Sequence, residues 1–291
     1  MMDADFAFLR GFLKSRSGLD LGLEKRYLAE SRLQPLCRAT GLSGLGAVVQ
    51  ALKLGSEDLA RAVVGAMATH ETLFFRDRAP FDALRDKILP CLDAARPPGR
   101  PLRIWSAAAS TGQEAYSVAM LVREMGPALN GRPVEILATD LSAEAIARAR
   151  AGTYTQFEIQ RGLPIRALLL HFGQKGDRWE ILPELRRAVE FRVFNLMEDF
   201  TSLGSFDVIL CRNLLIYLDL DAKEKLLGKL SRSLAEDGAL ALGAAETTLG
   251  LSRTLVPHPE MRGFFVHGTV PAGAPMRSDP SALSVLAPAG G

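Results

Sequence analysis

From residue 101 onward the chain alternates short apolar runs with helical patterns, and this alternation constrains the fold more than any other feature. Residues 102–105, "LRIW", read as a short strand, and "VEILATD" (134–140) as a second. "FDVILC" (206–211) is a continuous apolar run, as a strand covered on both faces requires. Helical patterns occupy 115–125, 143–151 and 222–234; Ser142 stands at a helix-cap position, and the last pattern closes at Asp237-Gly238. "ALALGA" and "GFFVHG" supply late strands. Strands separated by helices pair in parallel, with the helices on both faces. The expected fold class is therefore α/β, with a mostly parallel, doubly wound, Rossmann-like sheet.

Two regions depart from that rhythm. In residues 1–75, Phe6, Leu9, Phe12 and Leu13 recur at helical spacing, as do Tyr27, Leu28 and Leu36, and glycines separate the segments. This predicts a small all-α N-terminal domain, followed over 76–100 by a linker with a helix at 81–89 that "ARPPGRP" ends. Within the main domain, 101–269, the pieces "RGLP", "HFGQKGDRWEI" and "LRRAVEFRV" predict a small antiparallel β insertion over about 153–190. Residues 270–291, rich in Pro, Ala, Gly and Ser, read as a disordered tail.

Composition narrows the function classes. A net charge of +2 does not argue for nucleic acid. Cys37, Cys91 and Cys211 are far apart with no C-x-x-C spacing, and the four histidines form no H-x-x-x-H pair, so neither a disulfide framework nor a metal site is expected. The N-terminus has no charged segment followed by an apolar one, and no apolar run approaches membrane length. A cytoplasmic protein without membrane insertion is expected.

Between the first strand and its helix stands "SAAASTGQ" (106–113), where a dinucleotide fold would carry G-x-G-x-x-G. Ligands of open α/β sheets lie at the carboxyl ends of the strands, beside the switch in strand order. That rule singles out the turn up to Gly112, then Glu114, Asp140, Arg212 and Asn213. Asp140, ending the second strand, is placed to accept from ribose hydroxyls; a helix-cap or turn acid is the alternative. A ribose acceptor beside a turn without the glycine trio points to an adenosine ligand lacking a pyrophosphate, and S-adenosylmethionine meets that description.

Three stretches carry a resemblance. "THETLFFRD" (69–77), "SAAASTGQEAYSVA" (106–119) and "FDVILCRNLLIYLD" (206–219) are similar to signature segments of the CheR chemoreceptor methyltransferases. "ATDLS", "RGLP", "FRVFNL" and "LGAAETTLG" match the same family in the same order, so the resemblance spans roughly residues 10–268. It implies transfer of a methyl group from S-adenosylmethionine to glutamate side chains of receptors, with S-adenosylhomocysteine as product. The implied cofactor contacts are His70, Thr72, Arg76, Ala108 and Glu114, with Asp140 on the ribose. Asn195, Leu196, Arg212 and Asn213 would line the adenine and methionine sides, and Arg76 and Tyr217 would flank the transferring methyl. The sequence departs from the family pattern at His70, where Asn is usual, at Gln113 and Ala115, and at Ala244, which stands in the place of a His.

A glutamate is ionised at neutral pH, so such a transfer needs positioning rather than a general base. Each residue retains an ordinary reading: Arg76 as a salt-bridged linker residue, Tyr217 as core, Glu114 as an acid complementing a helix dipole. Lys25 and Arg32, near seven-residue spacing on the second helix, are expected to face the acidic cytoplasmic domain of a chemoreceptor; an ordinary solvated face is the alternative. The short turn "GQKGD" predicts that the insertion does not tether a receptor C-terminal peptide. The rival functions are a small-molecule methyltransferase and a non-enzymatic S-adenosylmethionine- or receptor-binding module.

Overall fold

The structure is a computed structural model that describes residues 2–268; the expected disordered tail lies outside the described residues. Four helices open the chain: α1 (Asp3–Ser17), α2 (Arg26–Thr40), α3 (Leu45–Lys53) and α4 (Glu57–Met67). Each turns one apolar stripe inward, and Phe6, Leu9, Leu33, Val48, Val63 and Met67 meet in a single buried cluster. Gly18 and Gly41 end α1 and α2 in the left-handed conformation, which lets their N–H groups turn back onto helix carbonyls.

The helix expected at 81–89 extends further in both directions. It runs as α5 (Ala79–Ala83), a π-helical turn (Leu84–Ile88) and α6 (Leu89–Ala95). The widened turn sits just before Pro90, which has no N–H to continue the ordinary bonding ladder.

The main domain contains β1 (Leu102–Ala107), α7 (Gln113–Met125), β2 (Val134–Asp140) and α8 (Ala143–Ala151). Ser142 caps α8 by accepting the Ala145 N–H. The insertion comprises β3 (Thr153–Thr155), α9 (Gln156–Gln160), α10 (Ile165–His171), β4 (Phe172–Lys175), β5 (Arg178–Ile181) and α11 (Pro183–Arg187). The main domain then resumes with β6 (Val189–Val193), β7 (Phe206–Cys211), α12 (Leu220–Ser233), β8 (Leu234–Leu242), β9 (Leu255–Pro257) and β10 (Phe264–His267).

The main sheet has the order β6-β2-β1-β7-β8-β10-β9. Its first five strands are parallel, and β10 runs antiparallel to both neighbours. Apolar clusters cover both faces; Ile104 and Leu210 belong to one, Trp105 and Ile209 to the other. The insertion forms a separate antiparallel sheet in the order β3-β5-β4.

Two sequence expectations are corrected here. Residues 189–193, read as part of the insertion, form the edge strand of the main sheet, paired in parallel from Ile136↔Val189 to Asp140↔Val193. An edge strand has one half-solvated face, so its V-E-F-R-V alternation resembles that of an antiparallel hairpin. The last long helix stops at Ser233, and Asp237-Gly238 lies inside β8, where the register shifts. Arg96 holds that irregular segment, donating to both carboxylate oxygens of Asp237 (2.5 and 2.6 Å) and to the buried Asp207 (2.8 Å). This ion-pair cluster ties together the strand ends opposite the ligand-bearing edge.

Candidate active site at the carboxyl ends of the sheet

The chain passes from β1 to β2 on one side of β1, while β7 lies on its other side, so the strand order reverses at β1. A reversal separates the crossover connections and opens a crevice above the strand ends. A cleft lies there.

The turn after β1 forms one wall. Ala108 and Ser110 adopt left-handed backbone (φ 76 and 52), followed by Gly112 (φ 94). Such dihedrals cost a non-glycine residue roughly 1–2 kcal/mol. Several contacts hold them in place: the N–H groups of Ala108 and Ala109 both donate to Thr139 O (2.9 and 2.8 Å), and the Ser110 N–H donates to Asp140 Oδ2 (2.8 Å). Asp140 Oδ1 accepts the Ser142 N–H (2.9 Å). Asp140 thus joins the two strand ends and also lines the cleft. A Cβ on Gly112 would stand 2.9 Å from Ala149 Cβ, so glycine is required there by backbone conformation and by space. The insertion reinforces the turn, since the buried Tyr154 donates its hydroxyl to Thr111 O (2.9 Å).

Arg212, directly after β7, is a buried cation between two acids. It donates to Glu114 Oε2 (3.0 Å), Asp77 Oδ2 (2.7 Å) and Arg76 O (2.9 Å), and its guanidinium lies over the Phe81 ring. Glu114 accepts the Ser106 hydroxyl with its other oxygen (2.8 Å). Arg212 therefore links β7, α7 and the turn that carries Arg76. That turn is itself constrained, with Phe75, Asp77 and Arg78 all at positive φ (48, 68 and 40). Burial, with Glu246 and Glu114 nearby, raises the Cys211 thiol well above its ordinary value and keeps it protonated, so it offers no nucleophile.

The third wall comes from the N-terminal domain and its exit. Ser17, Leu19 and the segment 68–73 line the cleft. Leu19 forms an isolated bridge with Leu218, and the Asp20 N–H donates to Tyr217 O (2.9 Å). Asn195 fixes the opposite junction, its amide donating to Arg16 O (2.7 Å) while its Oδ1 accepts the Met197 N–H (3.0 Å).

The chain matches two family descriptions: "CheR methyltransferase, SAM binding domain" over residues 70–259 and "CheR methyltransferase, all-alpha domain" over residues 4–68. It is 42% identical to chemotaxis protein methyltransferase 1 of Pseudomonas aeruginosa over 248 residues, covering 84% of this chain and 90% of the relative. The chain belongs to the CheR methyltransferase family. Chemotaxis protein methyltransferase 1 of Vibrio cholerae is 42% identical over 86% of this chain and 91% of its own length. The corresponding protein of Listeria monocytogenes is 32% identical over 85% of this chain and 92% of its own length. Among solved structures, the glycopeptide N-methyltransferase MtfA with sinefungin covers 68% of this chain and 60% of its own, at 14% identity and a TM-score of 0.37, too loose to carry an argument.

In this CheR methyltransferase the cleft brings together His70, Thr72, Arg76, Ala108, Glu114, Asp140, Asn195, Leu196, Arg212, Asn213 and Tyr217. Lys25 and Arg32 are not among its lining residues. Lys25 is exposed on a short 3-10 turn (Leu23–Lys25) before α2 rather than on it. Arg32 is half-buried and occupied, donating to Met67 O (2.6 Å), Ala68 O (3.0 Å) and Thr69 Oγ1 (3.1 Å). The two therefore do not share one helix face as their spacing suggested: Lys25 precedes α2, and Arg32 is engaged within the chain because α4 packs beside it and ends with carbonyls that need donors.

The residues present suit S-adenosylmethionine, the cofactor of the matched domain. Asp140 lines the cleft, and each of its oxygens, though already accepting one backbone N–H, keeps a further lone pair for a hydroxyl donor. The buried Arg212 Nε has no hydrogen-bond partner among the described residues, an orphan donor at the cleft wall. Sequence reasoning missed Asp77, the second acid on Arg212, and Glu246, which accepts the N–H groups of Asn213 and Gly243. Asp77 lies in "THETLFFRD" and Glu246 in "LGAAETTLG", but no spacing rule marks either as a partner across the fold. No helix among the described residues is long and apolar enough to cross a membrane, and no group of three His, Cys, Asp or Glu among them could hold a metal ion.

Proposed function

We propose that this chain is a cytoplasmic protein-glutamate O-methyltransferase, acting on the cytoplasmic domain of chemoreceptors. The observation that carries this reading is the convergence of Arg76 and Tyr217 on the cleft that holds Asp140, Glu114, Arg212 and Asn213. That the relatives are chemotaxis protein methyltransferases supports it.

S-adenosylmethionine supplies an electrophilic methyl group on a sulfonium. Asp140 would accept from the ribose, and His70, Thr72, Ala108, Glu114, Asn195, Leu196, Arg212 and Asn213, which line the same cleft, would hold the remainder. Arg76, which donates to Glu71 O (3.0 Å) and otherwise faces the cleft, keeps the entering glutamate ionised as it loses water. Among the described residues the Tyr217 hydroxyl has no hydrogen-bond partner, so it is available to orient the substrate carboxylate. The entering carboxylate would take the methyl group as the carbon–sulfur electron pair returned to sulfur; no proton would move, so these residues need supply orientation and no general base. Orientation of two reactants supplies up to about 7–11 kcal/mol, enough to be the leading contribution.

Lys25 belongs to the surface that meets the receptor, in the α1–α2 connection that also places Leu19 at the cleft. The receptor is engaged without a C-terminal tether, since only Gly176 and Asp177 separate β4 from β5. The test combines calorimetric titration of S-adenosylhomocysteine with transfer of radiolabelled methyl to a receptor cytoplasmic fragment. Base-labile label released as methanol is expected. Binding without transfer would favour a non-enzymatic module, and transfer only to small molecules or in a base-stable form would overturn the glutamate assignment.

A further inference from the structure

Glu246 sits in the turn that follows β8, and its carboxylate reaches back across the strand ends. Oε2 accepts the Asn213 N–H (2.8 Å) and the Gly243 N–H (2.6 Å), and Oε1 lies 3.4 Å from the Ile216 N–H. All three donors lie beyond the ends of β7 and β8, where ladder pairing has stopped and backbone groups need other acceptors. The same carboxylate therefore joins two neighbouring strands to the 3-10 turn (Leu215–Tyr217). Asn213 is left-handed (φ 60), a conformation that Asn tolerates but that still needs support. The fit is close: a Cβ on Gly243 would stand 2.7 Å from both Asn213 Nδ2 and Glu246 Oε2. Asn213, Leu214 and Tyr217 line the cleft, with Glu246 behind them.

We propose that Glu246 is a positioning residue for methyl transfer, whose carboxylate sets the left-handed Asn213 and the Tyr217 turn in the geometry that holds cofactor and substrate. This rests on the roles given above to Asn213 and Tyr217. Glu246 acts through backbone N–H groups, so its contribution depends on acceptor oxygens rather than on net charge.

Three variants test this by S-adenosylhomocysteine affinity and by kcat and KM on a receptor fragment, with thermal unfolding measured alongside. Glu246→Ala is expected to weaken affinity and lower kcat by about tenfold or more each, as loss of a carboxylate that holds the partly buried N–H groups of Asn213 and Gly243 predicts. Glu246→Gln keeps one oxygen for Asn213 and Gly243 and should recover to within roughly threefold of wild type. Should Glu246→Ala not fold, Glu246→Asp provides the same readout: it keeps the charge but shortens the side chain by one methylene, withdrawing the oxygens from the Asn213 and Gly243 N–H groups, and the same double loss is expected. A folded Glu246→Ala with lowered unfolding temperature but wild-type affinity and kcat would mean a purely structural clamp and overturn the proposal. So would a Gln variant as impaired as the Ala variant, since charge would then be the operative property. A wild-type chain that transfers no methyl to the receptor would defeat the functional reading instead, and the affinity comparison would still decide the role of Glu246.

Discussion

Replacing Arg32 by alanine distinguishes a receptor-contacting arginine from one that holds the cleft wall. The guanidinium donates at 2.6 and 3.0 Å to Met67 O and Ala68 O and at 3.1 Å to Thr69 Oγ1. Met67 ends α4, so Arg32 satisfies a terminal carbonyl and complements the negative end of the helix dipole. Ala68 and Thr69 line the cleft, so the same bonds set the position of its wall. A hydrogen bond to a charged group contributes roughly 1.5–3 kcal/mol, but three from one half-exposed guanidinium share a single desolvation cost, which puts the expected loss near 2 kcal/mol. For a chain of this size that lowers the unfolding temperature by about 3–4 °C. A displaced wall should also raise the S-adenosylhomocysteine Kd by about threefold to tenfold, the equivalent of roughly 0.7–1.4 kcal/mol. Arg32→Lys should recover little, because an ammonium does not span the guanidinium fork. Calorimetric unfolding and ligand titration, with receptor KM measured in parallel, check these outcomes. Unchanged unfolding temperature and cofactor affinity together with a raised receptor KM would refute the reasoning and return Arg32 to the receptor surface.

Asp140→Asn leaves one oxygen for two backbone N–H groups and sets an NH₂ against the other, so S-adenosylhomocysteine affinity should fall by about tenfold or more in a titration. Gly112→Ala places a Cβ 2.9 Å from Ala149 Cβ at φ 94, and urea unfolding should show a loss of about 1–3 kcal/mol. Hydrogen bonds from Arg132 hold Asp93 below the usual 3.8, and those from Arg96 do the same for Asp237. With the folded values depressed, their stabilisation is complete above that value and is lost as pH falls through the lower folded ones. The urea midpoint should therefore drop below about pH 4, and Arg132→Gln should flatten that drop.

Much of the fold was legible because its signals are local. β2 and β7 have the limits their apolar runs suggest, and α8 begins where the Ser142 cap requires. β6 was misassigned because an alternating pentapeptide does not show which sheet it joins; its pairing with β2 depends on a contact across the whole insertion. Asp237-Gly238 looked like a helix stop, and only Arg96, far away in sequence, explains its place within a strand.

The same division runs through the candidate site. Strand–turn–helix alternation by itself determined which residues stand at the carboxyl ends of the strands, among them Glu114, Asp140, Arg212 and Asn213, because periodicity and turn chemistry are properties of neighbouring residues. Tertiary structure alone decided what each one touches. It made Arg212 a clamp between Glu114 and Asp77, placed Glu246 behind Asn213, and turned Arg32 inward to the end of α4. Buried polar groups must find partners wherever the packed chain brings them, and that pairing requirement acts across distances that no sequence spacing encodes.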